Sequence, residues 1–270
     1  FGAKKAGHCG TLDPDATGLL PVMLGNAVKA TPYLTDHDKD YTASLRLGIT
    51  TDTGDTGGKV ISEYSGTLPG FDEFCAAAKT FSGEIMQVPP MYSALKVNGQ
   101  KLVDLARKGI EVERSARRIT VYSIVPREAD GVFFIDVSCS RGTYIRTLCE
   151  DIGNSLGCGA AMASLRRARV GEFTLDNAYT PEALEAMSAE EREACAIPIA
   201  DVFSRFRSVT LEPFYERLAR NGAEIYLSKA HIMAETGEML KLYGADGFFA
   251  LGEVRDYPDG SAVKPVTMFL

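Results

Sequence analysis

The clearest hydrophobic pattern in the chain runs from residue 40 to 49. Tyr41, Ala43, Leu45, Leu47 and Ile49 alternate with Thr42, Ser44, Arg46 and Gly48. Side chains of a strand point to opposite faces in turn, so this spacing predicts a strand with one apolar face. Thr50 to Gly58 is rich in Thr, Asp and Gly and reads as a loop, and Lys59 to Tyr64 reads as a strand. Phe71, Phe74, Cys75, Ala78 and Phe81 fall at helical spacing over 71–82. An apolar strand is predicted over 132–139. A helix over 142–156 would carry Ile145, Leu148, Ile152 and Leu156 on one face and stop at Gly157 and Gly159. Leu165 to Val170 reads as a further strand. Thr180-Pro181 and Ser188-Ala-Glu-Glu191 read as helix starts, an N-cap followed by proline and a capping box. After about residue 203 the texture changes. Short apolar stretches (Met239–Tyr243, Phe248–Val254 and Ala262–Phe269), separated by Gly, Asp and Pro, suggest a small β-barrel. The pattern predicts an α+β chain with a large domain over 1–203 and a small one over 204–270.

Residues 89–118 stand apart. Pro89-Pro90 opens the segment and Asn98-Gly99 marks a turn. Lys96, Lys101, Arg107, Lys108, Arg114, Arg117 and Arg118 outnumber Asp104, Glu111 and Glu113 for a net charge of +4. This reads as a projecting, partly helical insertion with little core of its own. The whole chain carries −7, which by itself argues against a nucleic-acid partner. Residues 172–200 alone carry −6, so the charge is segregated and a basic face is available to RNA while an acidic one faces away.

The remaining composition is that of an ordinary globular protein: 270 residues, 45% hydrophobic and 24% charged. No apolar run approaches the ~20 residues of a membrane helix, and no membrane partner is expected. The chain opens at Phe1, so a preceding piece is expected. Six cysteines without a Cys-x-x-Cys pair, and three histidines, give no zinc spacing. Reduced thiols, a cytoplasmic setting and no bound metal are expected. No Gly-x-x-x-x-Gly-Lys-Ser/Thr, Gly-x-Gly-x-x-Gly or His-Glu-x-x-His occurs, so no cofactor is implied.

Three segments carry candidate chemistry. In G-H-C-G-T-L-D-P-D-A-T-G-L-L-P (Gly7–Pro21) the proline after Asp13 holds it away from helical backbone, so a carboxylate sits on a constrained loop; an Asp-Pro turn without chemistry fits the same local pattern. In S-R-G-T-Y-I-R (Ser140–Arg146) a helix start and two arginines favour an anion, and Arg146 is placed to pair with a carboxylate. Tyr41 is either a rim aromatic or a ring on which a base stacks.

Taken together, these segments resemble the TruB family of tRNA pseudouridine synthases. The residues that carry the likeness are G-H-C-G-T-L-D-P-D-A-T-G-L-L-P, D-K-D-Y-T-A-S-L-R-L-G (38–48), R-G-T-Y-I-R-T-L (141–148) and Y-S-A-L-K-V-N-G-Q-K-L (92–102), the last like that family's RNA-gripping insertion. The resemblance implies a pseudouridine synthase domain, with a mixed, largely antiparallel sheet and a central cleft, followed by a PUA-like RNA-binding barrel. It implies isomerisation of the T-loop uridine of tRNA at position 55, by breaking the N-glycosidic bond and rejoining the base through C5, without a cofactor and by a monomer. Asp13 would be the catalytic aspartate, Arg146 its partner and Tyr41 the stacking ring. Leu165 would pack under the flipped base and His8 would contact the T-loop. Lys29 and Tyr144 would lie in the same cleft, while Lys96, Arg166, Arg167 and Arg169 would meet the RNA. The family usually has Thr where this chain has Cys9, and it carries a strand and helix ahead of the first motif that are mostly missing here. Two other readings stay open: an RNA-binding or RNA-folding protein without essential catalysis, and a glycosidic hydrolase using Asp13 with Asp15.

Overall fold

The computed structural model describes residues 1–270, and the chain divides into two compact units. One unit comprises His8–Pro21 and Tyr33–Ala178. Its frame is a seven-stranded sheet. Along the sheet the order is Phe173–Thr174, Ala160–Val170, Lys39–Leu47, Val132–Cys139, Arg117–Ala129 and Gly83–Gln87, all antiparallel, while Thr17–Gly18 pairs in parallel with Ala160–Val170. Helices Phe71–Lys79 and Ile145–Ser155 contribute to one core with this sheet. Phe74 and Ile135 are fully buried there, and the rings of Phe74 and Phe133 stack with centroids 4.9 Å apart.

The other unit comprises Phe1–Gly7, Val22–Pro32 and Tyr179–Leu270. It contains a five-stranded sheet in the order Arg207–Thr210, Met239–Gly244, Gly247–Tyr257, Gly260–Met268 and Ile225–Tyr226, a half-barrel of the PUA-like kind. Burial alternates strictly along Met239–Gly244, as a one-sided sheet requires. Leu240, Leu242, Phe249 and Val263 form the core beneath it. The compact units therefore do not part at residue 203. The acidic helices after Tyr179 join the half-barrel unit, and so do residues 22–32, where the Lys29 ammonium donates to the Met268 carbonyl at 2.8 Å.

Most elements read from periodicity are present, with three informative differences. The strand Arg117–Ala129, the longest in the sheet, is not expected from the alternation. A bulge between Val121 and Ser123 breaks its period of two. Arg117 and Arg118 belong to that strand and not to the insertion, and Arg118 pairs with Glu84. The helix expected from 142 starts at Ile145. Gly142 sits at φ +80° in a turn, and the Gln87 side chain accepts from the Tyr144 N–H at 2.8 Å and donates to its carbonyl at 3.0 Å. Both helix starts near Thr180 and Ser188 are as predicted, including the reciprocal Ser188–Glu191 capping box.

Candidate active site

The loop that carries Asp13 is folded back on itself. Cys9 N–H donates to the Pro21 carbonyl at 3.1 Å, and Ala16 N–H to the Asp13 carbonyl at 2.9 Å. The second bond makes residues 13–16 a turn, with Pro14 in the position that fixes φ for it. Asp13 and Asp15 therefore do not share a strand face, though both line the same cleft.

The Asp13 carboxylate faces Arg146, which the first turn of helix Ile145–Ser155 delivers. Arg146 Nε lies 2.8 Å from Asp13 Oδ2, and Nη2 lies 3.0 Å from Oδ1. This is the two-pronged pairing that a guanidinium makes with a carboxylate. The rest of the guanidinium is used as well. Nη2 donates to the Tyr92 carbonyl at 2.7 Å and Nη1 to the Thr53 carbonyl at 2.9 Å, with Asp55 Oδ2 3.9 Å from Nη1. Arg146 is 6% exposed, whereas the Asp13 side chain keeps 34% of its surface. A buried, fully bonded arginine thus holds a carboxylate that stays open to a ligand, which is the arrangement preorganisation demands. Asp13, Asp55 and Leu165 line a common cleft together with Met162 and Ser164. Glu150, also beside Arg146, has its carboxyl pushed above the usual range, chiefly by burial.

Tyr41 sits on the central strand, packed against the sheet core and paired in register with Arg167 and Val137. Burial raises its phenol above the ordinary value, and the nearby Arg167 opposes that shift. Leu165 is buried at the cleft wall. His8 is exposed at the end of strand Ala6–His8, and Tyr144 is half-buried at the helix start. Arg166 is exposed on its strand, as is Lys96 on the hairpin of the insertion.

Three expected RNA contacts are otherwise engaged. Arg167 is 1% exposed and cannot reach a phosphate; its Nε donates to the Leu19 carbonyl at 2.7 Å and its Nη2 to the Gly10 carbonyl at 3.0 Å. Alternation gives the reason: consecutive strand residues face opposite ways, so Arg166 and Arg167 cannot both point outward. Arg169 is tied to Asp40 through two bonds of 2.6 and 2.7 Å. Lys29 belongs to the other compact unit, with its ammonium on main-chain carbonyls there. Thr53, Asp55, Tyr92 and Glu150 around Arg146 are not expected from the sequence. The Asp- and Gly-rich run at 52–58 is the only signal for the first two, and it reads equally as a plain loop. Cys9 is buried, and burial raises its thiol pKa.

Two family models match the chain. Residues 1–145 match the TruB family pseudouridylate synthase N-terminal domain, and residues 146–230 match the tRNA pseudouridylate synthase B C-terminal domain. The chain belongs to the TruB family of pseudouridylate synthases, which are isomerases. Its relatives include tRNA pseudouridine synthase B of Chromohalobacter salexigens, 46% identical over 95% of this chain and 83% of the relative. The enzyme of the same name from Clostridium tetani is 40% identical over 93% of this chain and 86% of the relative. Among solved structures, a Cbf5-Nop10-Gar1 complex superposes with a TM-score of 0.69 at 27% identity, covering 99% of this chain and 77% of that one. No helix of the chain is long and apolar enough to cross a membrane.

Proposed function

We propose that this TruB-family enzyme converts the T-loop uridine of tRNA at position 55 to pseudouridine, with Asp13 as the catalytic residue. The reading rests chiefly on one observation: a half-open carboxylate gripped on both oxygens by a buried arginine, in a cleft walled by Leu165. The reaction detaches uracil from C1′, turns it and rejoins it through C5, so no atom is gained or lost and no external donor is needed. Asp13 must act as an anion whether it attacks C1′, adds to C6 or removes a proton, and Arg146 favours that anion and fixes its rotamer. Tyr41 supplies a ring face for the extruded base, and Leu165 supplies the apolar floor. Extruding a base from a folded loop costs roughly a few kcal/mol. Lys96, Arg166, His8 and the insertion offset that cost through backbone contacts to the T-arm. The unit of His8–Pro21 and Tyr33–Ala178 carries the chemistry and the half-barrel within 204–270 binds RNA, in a monomer working in the cytoplasm.

The deciding experiment is Asp13→Asn assayed on unmodified tRNA under single-turnover conditions. Pseudouridine formation falls by at least about 10³-fold, while tRNA affinity stays within about threefold of the parent. Turnover near the parental rate sinks the assignment. Loss of both activity and binding marks Asp13 as structural. Release of free uracil by the parent reassigns the chemistry to hydrolysis.

A further inference from the structure

The most deeply buried cation in the catalytic unit lies beneath the Asp13 loop, and the chemistry above leaves it unused. Arg167 is among the largest fully buried side chains of the chain. Its hydrogen bonds go to the carbonyls of Leu19 and Gly10, and Tyr41 is its neighbour in register on the adjacent strand, with no carboxylate among these partners. Its own backbone carbonyl accepts from Leu19 N–H at 2.8 Å. Burying a guanidinium without a counter-ion is costly, and Lys39 close by makes it more so. Burial first, and then the Arg167 charge, pull the Lys39 ammonium below its ordinary pKa. An isolated packing role would be served at lower cost by an apolar side chain. What an apolar side chain cannot do is bond two carbonyls from both arms of one loop at once.

Those places are informative. Gly10 and Leu19 flank Asp13 on either side of the loop, and Tyr41 is the stacking ring on the neighbouring strand. Gly10 has φ +77°, and a Cβ there would stand 3.3 Å from Arg167 Nη1, so the glycine lets the guanidinium close on the backbone. A guanidinium only donates. Both loop carbonyls therefore accept from it, while its charge beside Tyr41 opposes the rise that burial gives the phenol. One side chain thus fixes the span of the Asp13 loop and places a positive charge beside Tyr41.

We propose that Arg167 is a positioning residue for the isomerisation, holding the Asp13 loop against the strand that carries Tyr41 in one rigid unit. The inference rests on Asp13 and Tyr41 being the reacting site. The test uses the full chain with Arg167→Gln, Arg167→Lys, Tyr41→Phe and the Tyr41→Phe/Arg167→Gln double variant. Fold is followed by circular dichroism, affinity by titration with a T-arm stem-loop, and the reaction by single-turnover pseudouridine formation. Arg167→Gln should bind RNA within about threefold of the parent yet react on the order of 10–100-fold more slowly, since misplacing a reacting group by about 1 Å costs about that much. Arg167→Lys, which keeps the charge but makes fewer bonds, should recover part of the rate. In the Tyr41→Phe background the Arg167→Gln loss should shrink clearly, because the two act as a unit.

Three results overturn the proposal: an Arg167→Gln rate within twofold of the parent, a rate loss explained by RNA affinity alone, or full additivity with Tyr41→Phe. Failure of both Arg167 variants to fold also overturns it, by making the residue a folding element. If Tyr41→Phe leaves no measurable rate, the split between binding and rate and the lysine recovery decide. Activity surviving in Asp13→Asn defeats the site assignment itself; an inert Asp13→Asn beside an indifferent Arg167 defeats only this inference.

Discussion

The proposed function assigns two segments of the catalytic unit to RNA: the Asp13 loop at 9–21, which joins the sheet only through Thr17–Gly18, and the basic insertion at 89–116. They are held in opposite ways. The loop is closed by bonds from Cys9 to Pro21, Ala16 to Asp13 and Leu19 to Arg167, and then gripped by the Arg167 and Arg146 side chains. The insertion rests on its own bonds, Leu102 to Leu95 and Val103 to Ser93, and on two buried leucines, Leu102 and Leu105. Lys96, Lys101, Arg107 and Lys108 there are exposed and take part in none of the ion pairs of the chain. The contrast follows from what each segment does. A reacting carboxylate must be in place before the substrate arrives. Cations that meet a phosphate backbone need only be near it, and freedom to adjust helps them. One contact joins the two segments: the Tyr92 carbonyl at the root of the insertion accepts from Arg146.

A pair of glycines tests this difference most strongly. Gly18 has φ +99°, and a Cβ there would collide with the backbone of Arg167. Gly99 has φ +81° in the Asn98-Gly99 turn of the insertion, with no atom near an added Cβ. Gly18→Ala combines backbone strain with a clash against a strand that cannot move. It should cost about 2–4 kcal/mol in urea denaturation and slow the reaction in step. Gly99→Ala carries the strain alone, in a hairpin that makes little core, and should cost about 1 kcal/mol or less. Equal costs at the two positions would remove the distinction between a pinned loop and a loose insertion.

Charge gives the next test. Replacing Lys96, Lys101, Arg107 and Lys108 together by Ala should leave the melting temperature within about 2 °C, because none of the four is buried or paired. T-arm affinity at moderate salt should fall on the order of 10–100-fold. The slope of log affinity against log salt should flatten by about 0.7–0.9 for each phosphate that is no longer neutralised. An unchanged slope removes the insertion from the interface, and a large drop in melting temperature shows that it is not loosely held.

The same contrast governs what is legible in the sequence. The central strand can be read because apolar and polar residues alternate without a break from Tyr41 to Leu47, even though Ser44 on the polar side is buried as well. The strand Arg117–Ala129 cannot, because a bulge shifts its register and half of it faces outward. The pairing of Asp13 with Arg146 joins residues 133 apart in the chain. Local physics alone makes Asp13 part of an Asp-Pro turn, and the pairing becomes legible only through the order of four motifs. Arg167 escapes a sequence reading because a basic doublet reads as surface charge. Only the strand's facing, set by its pairing with Gly18 and Tyr41, turns the second arginine inward. Thr53 and Tyr92 contribute backbone carbonyls to Arg146, and a carbonyl has no signature in sequence.

The smallest expected effect concerns how far the loop's rigidity depends on the edge of the sheet beneath it. Asp40 and Arg169 precede Tyr41 and follow Arg167, at the point where the register between the two strands shifts. Their two-pronged pair, at 2.6 and 2.7 Å, bridges that irregularity. The Arg169 hydrogen bonds hold the Asp40 carboxyl below its ordinary value of 3.8. A carboxylate whose pKa is depressed on folding adds stability above its unfolded value, and that stability is lost as pH falls through the folded one. The pair should therefore contribute fully at about pH 5 and above and fade below about pH 4. Both side chains keep about a third of their surface, 31% for Arg169 and 35% for Asp40, so solvent screening limits the gain to about 1 kcal/mol or less. Asp40→Asn should lower the melting temperature by a few degrees at about pH 7, with the gap to the parent closing toward about pH 3. If the gap is constant with pH, the Asp40 charge is not what steadies this edge, and the rigidity of the loop comes from Arg146, Arg167 and the backbone.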